Sequence, residues 1–288
     1  MGMKQVLSLE QYTEMIQKIK KDAKDNVSNI YLYKDTIQEY INKKVLYFDI
    51  SDDGLQFFVD ENNLNAHYFI CRPTAKLKFE KSEKPYFSYL LRKEKNSAFQ
   101  TLEDVLINSG FERHMTLKGY DLITERIYEK TSPAAEIMMK SLKNGGFELR
   151  VPEEREYSAL WNFIDTIDEI PFWDKTFPTT EEFVDDIRNG YVKCIYDPEG
   201  EIVAAGYAFM EGIYEYGWIA VKKEYRKFGA MAVVLTNEKV KRMLENGNKG
   251  RAWVSIDNNA SLNYHEKLGY AHNGRFREIY LLNQNYGG

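Results

Sequence analysis

Between residues 222 and 229 the chain sets Lys222, Lys223, Arg226 and Lys227 beside Gly229, with Glu224 as the one acid among them. The run before them, Ile213–Val221, is aromatic and β-branched with no charge after Glu215, so it reads as a buried strand. The run after them, 230–244, places Met231, Val234, Leu235, Val240 and Leu244 close to a 3.6-residue period, the mark of a helix. A strand that delivers a basic, glycine-bearing loop to a helix start can trap an anion. The first backbone N–H groups of the helix lack internal partners, the helix dipole adds partial positive charge, and Gly229 removes the Cβ that would keep a ligand away. The same residues also read as an ordinary turn with solvated charge. The phosphate fingerprints G-x-x-x-x-G-K-[ST] and G-x-G-x-x-G are absent.

The stretch V-K-K-E-Y-R-K-F-G-A-M-A-V-V-L resembles the acetyl-CoA-binding segment of the GNAT N-acetyltransferases, V-x-P-x-x-[RQ]-x-x-G-x-[GA] followed by a helix. Val221, Arg226 and Gly229 match, and Met231 falls where the family prefers Gly or Ala. A second stretch, 251–270, resembles the family's other signature, N-x-x-[SA]-x-x-x-Y-E-K-L-G-[FY]. Asn258, Ser261 and Glu266-Lys267-Leu268-Gly269-Tyr270 match, and His265 stands at the usual tyrosine.

The resemblance implies a GNAT-like acyl-CoA N-acyltransferase fold over about residues 147–283, with acetyl-CoA as cosubstrate wedged between two splayed strands. Backbone groups at Ile219, Ala220 and Val221 would meet the pantetheine arm. Those at Arg226, Lys227, Phe228, Gly229, Ala230, Met231 and Ala232 would hold the diphosphate, with Asn258 and Ser261 completing the site. A primary amine of a small molecule or peptide would attack directly. His265 would protonate the departing thiolate, its ordinary pKa of about 6.5 suiting proton transfer near neutrality; it could equally only pack against the cofactor arm. Glu215 is the candidate base because a carboxylate in an apolar run is costly unless it faces a polar cleft, though a solvent-facing strand end would also explain it. Glu211 comes second. Tyr214, Tyr216 and Trp218 line an amine pocket or fill the core. Longer-acyl or aminoacyl transfer, and a regulatory acyl-CoA binder without turnover, are the rival readings.

Around these motifs the second half reads β-α-α-β-β-β-α-β-α-β, the GNAT order: a strand at 147–151, a helix at 153–167, a helix capped by Thr179 and Glu182, a hairpin of 191–196 with 202–210, then the strand, loop and helix above, a strand at 251–256, a helix at 260–268 and a strand at 277–282. From pattern alone this is an α/β mixed sheet with helices on its faces. The first half reads as a helix capped by Ser8, a short helix at 36–42, strands at 45–50, 55–60 and 66–71, a weaker strand at 85–91, a helix at 99–109 and an extended run at 111–123. A helix opened by Ser132-Pro133 ends at Asn144-Gly145-Gly146, which suggests domains of 1–145 and 146–288. Helix, Gly-aromatic and strand recur at Gly110-Phe111 and Gly269-Tyr270, so the first half is either a degenerate GNAT-like repeat in tandem or an unrelated α/β domain that shares a common helix end. It lacks a counterpart of Arg226-x-x-Gly229, so no chemistry is expected there.

Charge excludes the nucleic-acid classes: residues 1–145 carry 22 basic against 21 acidic side chains, and 146–288 carry 17 against 23. No apolar run reaches the ~18 residues of a membrane span, 1–12 lacks a signal-peptide core, and Val6 stands where myristoylation after Gly2 would require Ser or Thr. Cys71 and Cys194 fit reduced core residues, and no histidine pair has metal spacing, so a metal-free cytoplasmic protein is expected, with a homodimer left open.

Overall fold

The computed structural model describes all residues except 1–2, 23–24, 62, 94–97, 169, 171–179, 212–213, 227–228 and 284–288. In chain order the elements are β1 (Lys4–Gln5), α1 (Leu9–Asp22), β2 (Val27–Ser28), α2 (Lys34–Asn42), β3 (Leu46–Ser51), β4 (Gly54–Asp60), β5 (Asn65–Cys71), β6 (Tyr86–Lys93), α3 (Phe99–Asn108) and β7 (Glu112–Asp121). There follow α4 (Thr124–Asn144), β8 (Glu148–Arg150), α5 (Tyr157–Asp165), α6 (Thr180–Arg188), β9 (Val192–Tyr196), β10 (Ile202–Glu211), β11 (Tyr214–Val221), α7 (Ala230–Asn246), β12 (Lys249–Ser255), α8 (Asn259–Leu268) and β13 (Ala271–Leu282).

They form two compact units that interleave in sequence rather than meeting at one point near residue 145. Unit 1 holds Met1–Gly119, Trp253–Asp257 and Gly274–Gly288; unit 2 holds Tyr120–Ala252 and Asn258–Asn273. The reason lies in α4, which begins at Thr124, well before Ser132-Pro133, and runs unbroken through Pro133. Pro133 and Glu129 are exposed, so water can serve the carbonyl that the missing N–H leaves free. Ala135, Met138, Met139 and Leu142 of this helix pack with Met231, Val234 and Leu235 of α7, which ties it to unit 2.

In unit 1 the strands run β1-β3-β4-β5-β6-β13-β7. The expected Ser51–Gly54 hairpin pairs β3 with β4, and Ser8 Oγ accepts from Gln11 N–H at the head of α1. The core on one face joins Phe69, Tyr86, Leu90 and Tyr280 to Leu102, Val105 and Leu106 of α3. β1 and β2 are two residues each, too short to leave a period in the sequence.

In unit 2 the order is β12-β11-β10-β9-β8. One face buries Leu160, Trp161, Phe163 and Ile164 of α5 with Phe183 of α6; the other is covered by α7 and α4. Residue 179, the expected cap of α6, lies outside the described residues.

Candidate active site

β11 pairs along its whole length with β10, from Ala204↔Val221 to Glu211↔Tyr214. Its other edge pairs with β12, in parallel, only at Tyr214↔Lys249 and Glu215↔Gly250. Beyond Glu215 that edge of β11 has no strand partner among the described residues, so the backbone groups there that face away from β10 have no ladder to join. Gly217 keeps the hairpin intact: its φ is +144°, and a Cβ would stand 2.0 Å from the Tyr207 carbonyl oxygen.

The open edge leads into the basic loop. Lys222 N–H donates to the Val203 carbonyl, Lys223–Tyr225 form one 3₁₀ turn, and exposed Arg226 folds back so that its Nε–H donates to the Val221 carbonyl at 2.8 Å. Gly229 then takes the left-handed conformation, φ +63°, as the cap residue of α7, and among the described residues beyond its chain neighbours no heavy atom lies within 4 Å of where a Cβ would be. Among the described residues no side chain caps α7, so the N–H groups of its first turn, at Ala230–Ala232, are left to be offered outward. Met231 is 4% exposed and buried among Val221, Val234 and Leu235, so its bulk lies inside the core, away from those donors. Ile219, Ala220, Val221 and Ala232 likewise put their side chains into the core and have only backbone to offer. Lys227 and Phe228 lie outside the described residues. An open cradle at Gly229 and an uncapped helix beside Arg226 suit the diphosphate of a nucleotide cofactor.

Asn258 caps α8, its Oδ1 accepting from Ser261 N–H at 3.0 Å. One turn on, His265 Nδ1 lies 2.7 Å from the Ser261 carbonyl. A carbonyl only accepts, so Nδ1 carries the proton and Nε2 keeps the lone pair. Tyr270 meets the ring edge-on at 4.7 Å, and Tyr120 stacks on it at 6.0 Å. Burial pushes the imidazole pKa down; the Ser261 hydrogen bond opposes this and the Lys239 charge adds to it. In this tautomer Nε2 can accept a proton, and the expected donation to a departing thiolate through Nε2 would follow that uptake.

Glu215 is corrected as the candidate base. It is 0% exposed and paired through Oε1 with Arg242 Nη2 of α7, while Oε2 is buried without a partner. A carboxylate sealed behind a guanidinium ties β11 to α7 and has no route to an amine. The Glu211 and Tyr216 side chains lie outside the described residues. Tyr214 packs under the Arg251 guanidinium at 3.9 Å, and Trp218 stacks on Tyr207 at 5.7 Å, so both serve packing.

Sequence reasoning missed the polar cluster on α7. Half-buried Lys239 has its amine pushed down to about 8, chiefly by burial, with Arg242 adding and Glu215 opposing. Thr236 meets the Tyr264 hydroxyl at 2.6 Å. In N-E-K-V-K-R-M these cations look like a solvated face, and nothing in the spacing betrays their burial.

Unit 1 repeats the parallel pair and closes the gap. β5 and β6 pair only at Asn65↔Tyr86 and Ala66↔Phe87. β2 adds to β5, and fully buried Asn29 fills the space beyond. Its Oδ1 accepts from Phe69 N–H at 2.7 Å, and its Nδ2 donates to Ser88 Oγ at 2.9 Å and, at 3.4 Å, to the His67 and Tyr89 carbonyls. Residues 72–85, between β5 and β6, contain no helix to present donors. Among the described residues, the open strand edge is thus a property of unit 2.

No family model matches the sequence, and no curated protein matches it significantly. Solved structures do. A GCN5-related N-acetyltransferase-like protein from Streptococcus suis is 12% identical, with TM-score 0.56, covering 93% of this chain and 100% of that one. A GNAT-family acetyltransferase from Colwellia psychrerythraea is 13% identical, with TM-score 0.51, covering 98% and 99%. A tandem GNAT protein from the clavulanic acid biosynthesis pathway is 9% identical, with TM-score 0.51, covering 84% and 83%. Among the described residues no helix is long and apolar enough to cross a membrane, and no cluster of His, Cys, Asp and Glu could hold a metal. With its half-paired parallel strands and glycine-led helix, the chain has the fold of the GNAT N-acetyltransferases.

Proposed function

We propose that the protein is an acetyl-CoA-dependent N-acetyltransferase that moves an acetyl group to a primary amine of a small molecule or peptide. The observation that carries this reading is the edge of β11 left unpaired beyond Glu215, which runs directly into the uncapped, glycine-led start of α7. When bound, acetyl-CoA supplies the activated thioester. The N–H groups of Ala230–Ala232, with Arg226, hold its diphosphate, and the backbone at Ile219–Val221 binds the pantetheine arm as an added strand would. Asn258 and Ser261 fix the first turn of α8, and the Ser261 carbonyl fixes the His265 tautomer. His265 Nε2 takes the proton that the amine sheds on attack and returns it to the coenzyme A sulfur as the C–S bond of the thioester breaks.

Calorimetry with acetyl-CoA and longer acyl-CoAs, followed by thiol-release assays across an amine panel, tests the proposal. Micromolar acetyl-CoA affinity with amine-dependent thiol release is expected. Absence of binding overturns the proposal, and binding without release for any amine marks a non-catalytic acyl-CoA binder instead.

A further inference from the structure

Among the described residues, Arg277 of unit 1 is a cation that forms no ion pair. Arg277 of β13 lies directly opposite Leu91 of β6 and so shares a sheet face with Tyr89. Its guanidinium sits 4.6 Å from the Tyr89 ring centroid and 4.6 Å from that of Trp253. Tyr31 stacks behind Tyr89 at 5.5 Å, and Tyr68 meets Tyr89 edge-on at 6.2 Å. Both rings lie within cation–π reach of the guanidinium, and a ring face offers it no hydrogen-bond acceptor in the plane of its fork.

No carboxylate lies within ion-pair distance of Arg277 among the described residues. The next residue, Glu278, points to the other face, where it holds Arg92 and Thr116. Arg277 Nε is buried with no acceptor, and so is the Trp253 indole Nε1. The Tyr68 hydroxyl feels the Arg277 charge, but burial holds it neutral, its pKa driven well above the usual value. A half-buried guanidinium and a neighbouring indole therefore share an unmet demand for negative charge and acceptor oxygens, the demand a bidentate carboxylate meets in the plane of the fork.

We infer that Arg277 and Trp253 form a binding site for the carboxylate of a small organic acid, walled by the rings of Tyr89 and Tyr68. The site stands on unit 1 alone and is independent of whether the protein transfers acyl groups. A single cation with one indole donor matches a monoanion better than a phosphate dianion.

The indole N–H resonance of Trp253 is the reporter. It is one of four in the chain and is assigned by its loss in Trp253→Phe. The full-length protein is titrated with benzoate, benzamide and inorganic phosphate at constant ionic strength. Expected are a saturable downfield shift with benzoate, none with benzamide, and at least a tenfold weaker benzoate response in Arg277→Met. Arg277→Lys keeps the charge but loses the fork and should also weaken binding, so it carries the test if thermal melts show that Arg277→Met has not folded. The inference is overturned if benzoate gives no saturable shift, if benzamide or phosphate matches it, or if the folded Arg277 variants bind like the parent.

Discussion

Replacing Gly229 by alanine separates what the loop does for folding from what it does for a ligand. At φ +63° an alanine carries a left-handed strain of about 1–2 kcal/mol. Among the described residues beyond its chain neighbours, no heavy atom lies within 4 Å of the new methyl group, so no clash with them adds to that. Urea unfolding should therefore register a loss of only about 1–2 kcal/mol, and the variant should remain folded. For a diphosphate the same methyl stands in the cradle. Displacing it from one backbone N–H forfeits a charge-assisted hydrogen bond, about 1.5–3 kcal/mol, which converts to a roughly 10- to 150-fold weaker acetyl-CoA affinity by calorimetry. An unchanged affinity in the folded variant would refute the assignment of the anion to this loop. A loss of stability much beyond 2 kcal/mol would show that the space above Gly229 is not open.

Four further outcomes follow from particular side chains. Arg242→Met should cost about 3–5 kcal/mol in urea unfolding by stranding the buried Glu215 carboxylate, and the double variant with Glu215→Leu should recover much of that. Asn29→Ala should cost about 1–3 kcal/mol by stripping the Phe69 N–H of its acceptor, with acetyl-CoA affinity unchanged because that plug belongs to unit 1. His265→Gln should lower turnover and leave acyl-CoA binding intact. With the His265 pKa held below 6.5, the parent should lose activity only as pH falls under that value, a limb the variant lacks. His67 is fully buried, and burial lowers its pKa from 6.5 to about 3. The unfolded chain takes up this proton below 6.5 while the folded chain refuses it, so stability falls with pH across that window. By pH 4.5, two units down, the loss is about 2.7 kcal/mol. His67→Phe should show a correspondingly shallower pH dependence in denaturant titrations.

The elements nearest the proposed chemistry were legible because each is written in a short, local code. Gly229 among the cations of 222–227 marked a loop that lets a ligand approach the backbone, Asn258 and Ser261 fell at their spacing in a signature beside a helix, and the apolar 3.6-residue period fixed α7 to within two residues of its end. The helix α4 was misread because Ser132-Pro133 is a strong local start signal, whereas the helix begins at Thr124 and runs through an exposed Pro133. The role of Glu215 was misread for a related reason. A carboxylate in an apolar strand is compatible with a cleft or with a buried partner, and the partner, Arg242, lies 27 residues away.

By itself, then, the sequence determined the run of strands and helices, the anion-ready loop and the residues at the head of α8, since turn chemistry and periodicity act within a few neighbours along the chain. Only the tertiary structure decided which segments complete which unit, that the gap beside β5 is plugged by Asn29 while the edge of β11 stays open, and that the Ser261 carbonyl holds the proton on His265 Nδ1. Those outcomes depend on which distant groups share a buried volume, and burial, not spacing, sets the cost of leaving a charge or a backbone donor unpaired.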